Sequence, residues 1–452
     1  MTTDAWLPDL TRGSGAKYQA IADALDIAIA EGRLRAGDRL PPQRELAARL
    51  GVDLTTVTKA YDTARHRGLI EARGRAGSFV LPARSAVLPP PEPVDTGMNT
   101  PPELPMLARA IGEALPALLA PGGNVRLQYQ AVGGAPQDRA AGVQLLAGLG
   151  LPSTEAQLVV AAGGQNALHA IVGAALRRGD TVACGRFVYP GFSALAERQG
   201  LRLLPLPAID AAALDALCRR EAVRALYLVP TNDNPTAVTL EVEARAAIAA
   251  VARRHDLQII EDDAYGLLAT DPIVPVASFA PERCWYVASM SKILSPALRL
   301  AFVRAPSVGA ALRLTAGVHE SAVMAPPLNA AMVSLWLADG SFARLVAAMR
   351  AEAAARQALA DAVLGDRVRR RHPQGYHFWL PLPDGAAADL ANAMRGSGLS
   401  VVPSDRFAVA AGDDQAVRVS LGGLLSRERL EGALQLLHAH LVTGGARAGL
   451  LI

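Results

Sequence analysis

Lysine is nearly absent from this chain of 452 residues. Three of its 45 basic residues are lysine (Lys17, Lys59 and Lys292), and the other 42 are arginine. A bias toward arginine explains the scarcity but not why a single lysine stands after position 59. Lysine differs from arginine because its primary amine can lose a proton and form a Schiff base. Lys292 is therefore a candidate for amine chemistry, with an incidental surface lysine as the alternative.

Cysteine is also scarce. Cys184, Cys218 and Cys284 are odd in number, lie far apart and form no CxxC pair. This spacing is not that of a structural zinc site, and the low count is typical of a reducing compartment. We therefore expect no metal centre.

The sequence has neither a large excess of one charge nor a long apolar run. Its net charge is +3, so any surface for nucleic acid has to be a local patch. The longest uncharged stretch, residues 321–338, contains Pro326, Pro327 and Asn329 and predicts a buried helix or loop, not a membrane span. The first residues, MTTDAWLPDL, lack the basic and apolar regions of a secretory signal. With 51% hydrophobic and 19% charged residues the composition is globular, and we expect a cytoplasmic protein.

Prolines cluster in one segment, LPARSAVLPPPEPVDTGMNTPPELP, at residues 81–105. Consecutive prolines favour an extended and semi-rigid conformation. The segment predicts a linker over residues 83–104. This linker separates an N-terminal domain, residues 1–82, from a large C-terminal domain, residues 105–452.

The N-terminal domain has the pattern of helices followed by a basic hairpin. PPQRELAARLG and GVDLTTVTKAYDTARHRG each end at glycine, and Asp53 is a candidate N-cap between them. LIEARGRAGSFVLP then predicts two short strands around a basic turn. This is the plan of a winged helix-turn-helix, in which the second helix of the pair enters the major groove of DNA. A small solvated helical domain is the alternative.

The stretch GRLRAGDRLPPQRELAARLGVDLTTVTKAYDTARHRGLIEARGRAGSFV resembles the winged helix of GntR-type regulators. The resemblance implies that this domain binds double-stranded operator DNA through its helices and its wing. The implied DNA-binding residues are Arg44, Thr55, Thr56, Lys59, Arg73 and Arg75.

The large domain alternates short apolar runs with alanine-rich helical stretches. QLVVAAG, DTVACG, RALYLVP, LQIIEDD, CWYVASM and LRLAFVR are apolar enough to be buried on both faces. Such runs predict an α/β fold with a mainly parallel sheet flanked by helices. After about residue 340, a long helix and the strands GYHFWLPLP and QAVRVSLG predict a smaller α+β C-terminal subdomain.

Lys292 lies in ASMSKILSPALRLAF, just after a run that predicts a buried strand. Ser289 and Ser291 precede it, and Arg299 follows. Two hydroxyls and a guanidinium near an amine can anchor a phosphate. An aldehyde cofactor that carries a phosphate is pyridoxal 5′-phosphate (PLP), which we expect here.

A PLP site needs further groups, and the sequence offers a candidate for each. Asp262, at the end of LQIIEDD, can pair with the pyridine nitrogen. Asn234, in an Asn-Pro turn, and Tyr265 can donate to the phenolic oxygen. Tyr189 can stack on the ring, and the glycine turn before the helix of VVAAGGQNALHAIVGAAL can bind the phosphate. A helix cap, an ordinary turn and a chance Gly-Gly are the alternatives when each signal is taken alone.

In this order AAGGQNAL, FVYPGF, NDNPTA, EDDAY, SMSKILSPALRLAF and VRVSL resemble fold-type I aminotransferases over about residues 100–445. The resemblance implies that Lys292 forms the Schiff base with PLP and that Arg418 binds a substrate carboxylate. Taken alone, Arg418 also fits an exposed strand position. The implied cofactor-binding residues are Gly164, Gln165, Tyr189, Asn234, Asp262, Tyr265, Ser289, Ser291, Arg299 and, across a dimer interface, Tyr129.

The chain departs from this family pattern at several positions. Gly163 and Gly164 lack the hydroxyl that is common in the phosphate turn, and Ala237 stands where Asn-Pro-Thr-Gly has its glycine. Phe187 replaces a usual proline and Ala301 a usual glycine. These changes affect the expected details of the phosphate site but leave the lysine and the aspartate in place.

A GntR-type winged helix joined by a linker to an aminotransferase-like domain resembles the MocR subfamily of bacterial regulators. The resemblance implies a head-to-tail homodimer that senses a small amino compound. On this interpretation the effector would form an external aldimine that releases Lys292, and differential binding would then shift the DNA-binding domains. A catalytically active aminotransferase with an accessory N-terminal domain is the alternative, and a large domain that has lost PLP is a third interpretation.

Overall fold

The computed structural model describes residues 6–7, 16–81, 97–120, 122–368, 370–383, 385–412 and 415–448, and the side chain of Arg75 lies outside this description. The chain divides into two compact units, Met1–Glu92 and Pro93–Ile452. Each unit has its own hydrophobic core.

The smaller unit contains three helices and a two-stranded hairpin within its described residues. They are α1 (Lys17–Ala30), α2 (Gln43–Leu50), α3 (Leu54–His66), β1 (Ile70–Ala72) and β2 (Ser78–Val80). Pro42 directly precedes α2, and Gly51 ends it with a left-handed φ of 60° that glycine adopts readily. Asp53 occupies the N-cap position of α3 as predicted, but its side chain makes no capping hydrogen bond there.

One face of α3 forms the centre of this unit. Val57, Ala60, Tyr61 and Ala64 are buried, at the spacing of one helical stripe. The Tyr61 hydroxyl donates to the Pro41 carbonyl at 2.8 Å and so fixes the start of α2 against α3. The opposite face of α3 is therefore left for solvent or a partner.

The larger unit is built on a seven-stranded sheet in the order β3-β9-β8-β7-β6-β4-β5. Its strands are β3 (Leu158–Ala161), β4 (Thr181–Gly185), β5 (Arg202–Leu206), β6 (Val223–Leu228), β7 (Gln258–Asp262), β8 (Cys284–Ser289) and β9 (Ala301–Arg304). The five neighbouring strands β5, β4, β6, β7 and β8 are parallel, whereas β9 is antiparallel to both β8 and β3. The predicted α/β fold with a mainly parallel sheet is confirmed.

A four-stranded antiparallel sheet forms the predicted C-terminal subdomain, in the order β10-β11-β13-β12. Its strands are β10 (Arg370–Arg371), β11 (His377–Pro381), β12 (Ser400–Pro403) and β13 (Ala416–Ser420). The helices of the larger unit are α4 (Pro105–Leu118), α5 (Pro136–Ala147), α6 (Gly164–Ala175), α7 (Pro190–Gln199), α8 (Ala211–Cys218), α9 (Val242–Arg254), α10 (Val276–Phe279), α11 (Val308–Ala322), α12 (Pro327–Asp339), α13 (Ser341–Leu364), α14 (Ala386–Ala393) and α15 (Arg427–Ala448).

The predicted linker over residues 83–104 is partly wrong. Residues 83–96 lie outside the described part of the chain, but residues 97–104 pack into the larger unit. Asn99, Pro101 and Pro102 are buried, and Pro102 forms a β-bridge with Gly423. Proline content predicts an extended backbone, and here that extended backbone lies along the subdomain instead of crossing solvent.

Among the described residues, no single helix is long and apolar enough to cross a membrane. The pair Pro327–Asp339 and Ser341–Arg367 reaches that length and composition only jointly, across a bend of 92°.

Candidate functional site

The sheet topology brings the predicted cofactor residues to one edge. Parallel strands β4, β6, β7 and β8 all end there, and β9 starts there because Ser289 pairs with Ala301 in the antiparallel register. Strand β3 ends at the same edge, since Ala161 also pairs with Ala301. The loops that follow or precede these strands carry the predicted residues, so segments from 161 to 301 converge on one site.

Lys292 sits at the centre of this edge. Its Nζ donates a hydrogen bond to the Asn99 carbonyl at 2.6 Å, and its own carbonyl accepts one from the Tyr376 hydroxyl at 2.9 Å. Burial lowers the pKa of the amine to about 8, and the positive charge of Arg418 acts in the same direction, against the opposing effect of Asp262. A larger fraction of the amine is therefore uncharged and nucleophilic near neutral pH than for an ordinary lysine.

Asp262 is a buried carboxylate at the end of β7. The Tyr227 hydroxyl donates to its Oδ2 at 3.0 Å, and the Tyr227 ring stacks on Phe192 with centroids 3.7 Å apart. Burial raises the pKa of Asp262 to about 6, while the Tyr227 hydrogen bond and the charge of Lys292 lower it. A cation placed beside this carboxylate would be strongly favoured, as for the protonated ring nitrogen that a pyridine cofactor supplies.

The turn before α6 brings together groups that suit a phosphate. Gly163 has a φ of 88°, which favours glycine, and a Cβ added there would lie 2.8 Å from the Arg299 guanidinium and would displace it. A Cβ on Gly164 would lie 3.3 Å from the Ser289 Oγ, which also accepts from the Ser291 amide at 3.3 Å. Unpaired N–H groups of a helix start, two serines and an arginine together suit an anion. The residues present therefore fit the phosphate of PLP.

The remaining predicted contacts lie around the same space. Gln165 donates from Nε2 to the Gly191 carbonyl at 2.9 Å and thereby joins α6 to the start of α7. Asn234 begins a turn that ends at Ala237, whose left-handed φ of 56° is the conformation that the usual glycine supplies. Tyr189 directly precedes α7 and lines the central cavity.

Arg418 is not an exposed strand arginine, because only 2% of it is accessible. It lies on β13, with Nη1 donating to the Asn234 Oδ1 at 2.9 Å and Nη2 to the Gly97 carbonyl at 2.5 Å. Its guanidinium also lies 5.2 Å from the centre of the Phe407 ring. A buried guanidinium that lines a cavity is suited to recognise a carboxylate by a paired hydrogen bond.

A cavity of about 470 Å³ connects these groups. It is lined by Gly97, Met98, Asn99, Tyr189, Pro190, Gly191, Asn234, Lys292, Val402, Asp405, Arg406, Phe407 and Arg418. The amine and the guanidinium thus face the same space, which can hold a molecule with an amino group and an anionic group.

Three site residues were missed from the sequence. Asn99 contacts Lys292, Tyr265 and His377, but it lay inside a segment interpreted as linker. Tyr227 lies in an apolar strand, where a polar hydroxyl that points inward is the signal that could have identified it. His377 follows no motif that the sequence made visible.

Tyr129 is not joined to the site by the contacts of one protomer. It is 83% exposed, and Val125, Leu127 and Val132 nearby are also exposed. Its predicted role across a dimer interface therefore stays a prediction.

Most of the predicted DNA-binding residues are exposed on the surface of the smaller unit. Arg44, Thr55 and Lys59 are exposed, and Thr56 is half-buried. Lys59 Nζ lies 4.2 Å from the centre of the Tyr18 ring. In the wing, Arg73 is exposed and forms an ion pair with Glu71 at 2.5 Å, whereas the Arg75 side chain lies outside the described residues.

In the part of the chain that the structure describes, no group of three or more His, Cys, Asp or Glu side chains could hold a metal ion.

Comparison with known proteins assigns both units. Residues 17–80 match the gntR family of bacterial regulatory proteins, and residues 97–437 match aminotransferase class I and II. The chain belongs to the class I and II aminotransferase family, with a GntR-type helix-turn-helix domain in front of the aminotransferase domain. This combination is that of the MocR subfamily, as the sequence predicted.

Individual relatives agree with this assignment. The HTH-type transcriptional regulator YdeF of Bacillus subtilis is 28% identical over 451 residues, which cover 96% of each chain. The vitamin B6 salvage pathway transcriptional repressor PtsJ of Salmonella typhimurium is 28% identical over 92% of this chain and 96% of its own. The crystal structure of LysN from Thermus thermophilus, an α-aminoadipate aminotransferase complexed with N-(5′-phosphopyridoxyl)-L-leucine, superposes with a TM-score of 0.68 at 27% identity, over 76% of this chain and 91% of that one.

Proposed function

We propose that this protein is a PLP-dependent transcriptional regulator, in which an amino compound bound at Lys292 controls binding to operator DNA. The observation that carries the proposal is the cavity that is lined both by Lys292, with a lowered pKa, and by the buried Arg418. It belongs to a chain whose other unit is a GntR-type domain.

PLP would supply an aldehyde that an amine can occupy and a ring that withdraws electrons. Lys292 would hold the aldehyde carbon and Asp262 the ring nitrogen, and Asn234 and Tyr265 would face the phenolic oxygen. The phosphate would be bound by the start of α6 with Gly164 and Gln165, by Ser289 and Ser291, and by Arg299, while Tyr189 would cover the ring.

The proposed effector carries a primary amine and an anionic group. Its amine would replace that of Lys292 on the cofactor, and its carboxylate would take the two guanidinium nitrogens of Arg418. The LysN complex supports this, because in that protein an amino acid is joined to the pyridoxyl group.

The segment 97–103 offers a route from the ligand to the rest of the chain. Its carbonyls at Gly97 and Asn99 accept from Arg418 and Lys292. Cofactor and effector would compete for the same two donors, so that binding has to change the contacts of a segment that continues the chain from the DNA-binding unit. A ligand can shift a conformational equilibrium only through such differential contacts.

The proposal includes a head-to-tail homodimer. The exposed apolar side chains around Tyr129 suit a protein contact, and each dimer would carry two DNA-binding units for two half-sites. Because the operator lies in the cytoplasm of a bacterium, we place the protein there.

The proposal is tested by the absorbance of the protein loaded with PLP. Wild-type protein should show a band at the edge of the visible range, and Lys292→Ala should lack it. A band that persists in Lys292→Ala would refute the assignment of the lysine, and a wild-type protein without any band would mean that the large domain has lost the cofactor. The same band, followed against a panel of amino compounds with and without DNA, should identify the effector.

A working aminotransferase is the second candidate, since Lys292 and Arg418 line one cavity and LysN shares the fold of the large domain. Sustained conversion of an amino acid and a keto acid at about 1 s⁻¹ or faster would favour the enzyme. Spectral change without net product, together with protection of specific DNA, would favour the regulator.

A further inference from the structure

A buried chain of hydrogen bonds leads from β11 to Tyr265. His377 Nε2 lies 3.0 Å from the Asp233 carbonyl, and His377 Nδ1 lies 2.9 Å from the Asn99 Nδ2. The same Asn99 Nδ2 lies 2.9 Å from the Tyr265 hydroxyl. Ser420 Oγ donates to the Asn99 Oδ1 at 2.6 Å. All of these side chains except that of Asp233 are at least nine-tenths buried, so water cannot easily substitute for a missing partner.

The direction of each bond in this chain follows from its ends. A main-chain carbonyl can only accept, so His377 Nε2 carries its proton toward Asp233. Burial lowers the pKa of His377 to about 3, which leaves the ring neutral and Nδ1 an acceptor. An acceptor at Nδ1 requires a donor opposite it, so the Asn99 atom that faces His377 is the amide nitrogen Nδ2 and not the oxygen Oδ1.

The orientation of Asn99 decides the role of the Tyr265 hydroxyl. An amide nitrogen has no lone pair to offer, so the Tyr265 oxygen accepts from Asn99 and cannot donate to it. The O–H of Tyr265 is therefore free to donate to another acceptor. The amine of Lys292 lies nearby, because its Nζ donates to the main-chain carbonyl of Asn99 at 2.6 Å.

We propose that Asn99, oriented by His377, is a positioning residue that commits the Tyr265 proton to the phenolic oxygen of the cofactor bound at Lys292. The inference rests on the proposed function and adds two residues that the aminotransferase motifs of this chain do not include. A donor to the phenolic oxygen makes that oxygen less basic. It therefore weakens the hold on the proton shared with the lysine nitrogen and lowers the pH at which the lysine-linked chromophore loses it.

The test is a pH titration of the absorbance band in protein loaded with PLP. Asn99→Asp replaces the donor by a carboxylate, which draws the Tyr265 proton to itself. Its titration midpoint should rise by about one unit or more, because a hydrogen bond to a charged group is worth roughly a tenfold change in a proton equilibrium. Tyr265→Phe, which removes the donor itself, should raise the midpoint in the same direction.

A double variant separates positioning from the new charge. If Asn99 acts through Tyr265, Asn99→Asp should add little in the Tyr265→Phe background. Equal shifts in both backgrounds, or no shift with Tyr265 present, would overturn the inference. Ser420→Ala is the matched control, since it removes a bond to Asn99 Oδ1 but leaves both donors of Nδ2, and its midpoint should stay within a few tenths of a unit of wild type.

The outcome can be told apart from failure of the proposed function. Thermal unfolding of each variant without cofactor shows whether the fold is retained, and Asn99→Ser supplies a smaller neutral replacement, expected to shift the midpoint less than Asn99→Asp does. A wild-type protein without a titrating band overturns the proposed function and this inference with it. A wild-type band with an unaltered midpoint in folded Asn99→Asp overturns the inference alone.

Discussion

At the scale of single residues, the site is defined by charges whose burial changes their proton affinity. Lys292 and Asp262 have opposite charges, and burial moves their pKa values toward each other, to about 8 and about 6. Each is thereby brought nearer to its neutral form than in water. The amine becomes a better nucleophile, and the carboxylate becomes a better partner for an incoming cation.

Arg418 is predicted to tune this amine as well as to bind the effector. Its charge disfavours a second cation nearby and so lowers the pKa of Lys292. In Arg418→Ala that pKa should rise by about one unit, and capture of PLP by cofactor-free protein should slow roughly fivefold to tenfold at pH 7.5. The measurement is the capture rate against pH, whose midpoint should move upward from about 8.

A surface arginine provides the control for this shift. Arg253 pairs with Glu282 on the surface at 2.8 Å, and Arg253→Ala should leave the midpoint unchanged. An Arg418→Ala midpoint equal to that of wild type would show that the charge of Arg418 does not lower the pKa of Lys292.

Site residues could be predicted from the sequence where they belong to a chemical motif, but not where their role depends on tertiary contacts. Lys292, Asp262 and Arg418 stand in recognisable motifs, just after β8, at the end of β7 and within β13. The structure places Lys292 and Arg418 in the lining of one cavity. Asn99 was hidden because its role depends on tertiary contacts with His377 and Ser420, far along the chain. Sequence pattern reports local periodicity, whereas such contacts are decided only when distant segments meet.

At the scale of elements, the DNA-binding unit depends on the two faces of α3. Its buried stripe carries small side chains and Tyr61, and its other face presents Thr55 and Lys59. Arg44 extends from the first turn of α2, whose start Tyr61 holds through the Pro41 carbonyl. These side chains are therefore held on a packed pair of helices and not on a loop.

Arg44→Ala is predicted to weaken DNA binding through the loss of one phosphate contact. Affinity for a duplex selected by the wild-type protein should fall roughly tenfold near 0.15 M salt, and the slope of log K against log salt should decrease in magnitude by about 1. Fluorescence anisotropy at several salt concentrations measures both. Arg49→Ala, at the other end of α2 where the arginine pairs with Glu45, should change them much less. Equal behaviour of the two variants would contradict this docking of α2.

The sheet shows where element prediction stops. The runs predicted as strands all form strands, because buried β-branched and apolar stretches are distinctive. The antiparallel direction of β9 was not predicted, since nothing in LRLAFVR encodes it. The loop between β8 and β9, which carries Lys292 and Arg299, is short. A parallel strand would need a longer crossover connection, so β9 runs antiparallel to β8.

At the scale of the whole molecule, regulation requires that a ligand at one site changes the spacing of two DNA-binding units. A monomer with one such unit gains little from this, whereas a dimer bound to two half-sites converts a small displacement into a large change of affinity. The segment 97–103 is therefore important only in combination with a dimer. Oligomeric state is the property on which the proposed regulation depends most.

The exposed apolar side chains at Val125, Leu127, Tyr129 and Val132 are predicted to form the contact with the second copy. Leu127→Asp places a charge in that contact, where burial without a partner is strongly unfavourable, and should shift the protein from dimer to monomer at micromolar concentration. Light scattering after size-exclusion chromatography measures the mass, and DNA containing two half-sites should then be bound at least tenfold more weakly. Val242→Asp, at an exposed position on α9, is the control and should remain dimeric.

If Tyr129 also reaches the phosphate of the neighbouring protomer, the Leu127→Asp monomer should lose PLP on dilution faster than wild type. Retention of both the dimer mass and PLP in Leu127→Asp would place the interface elsewhere.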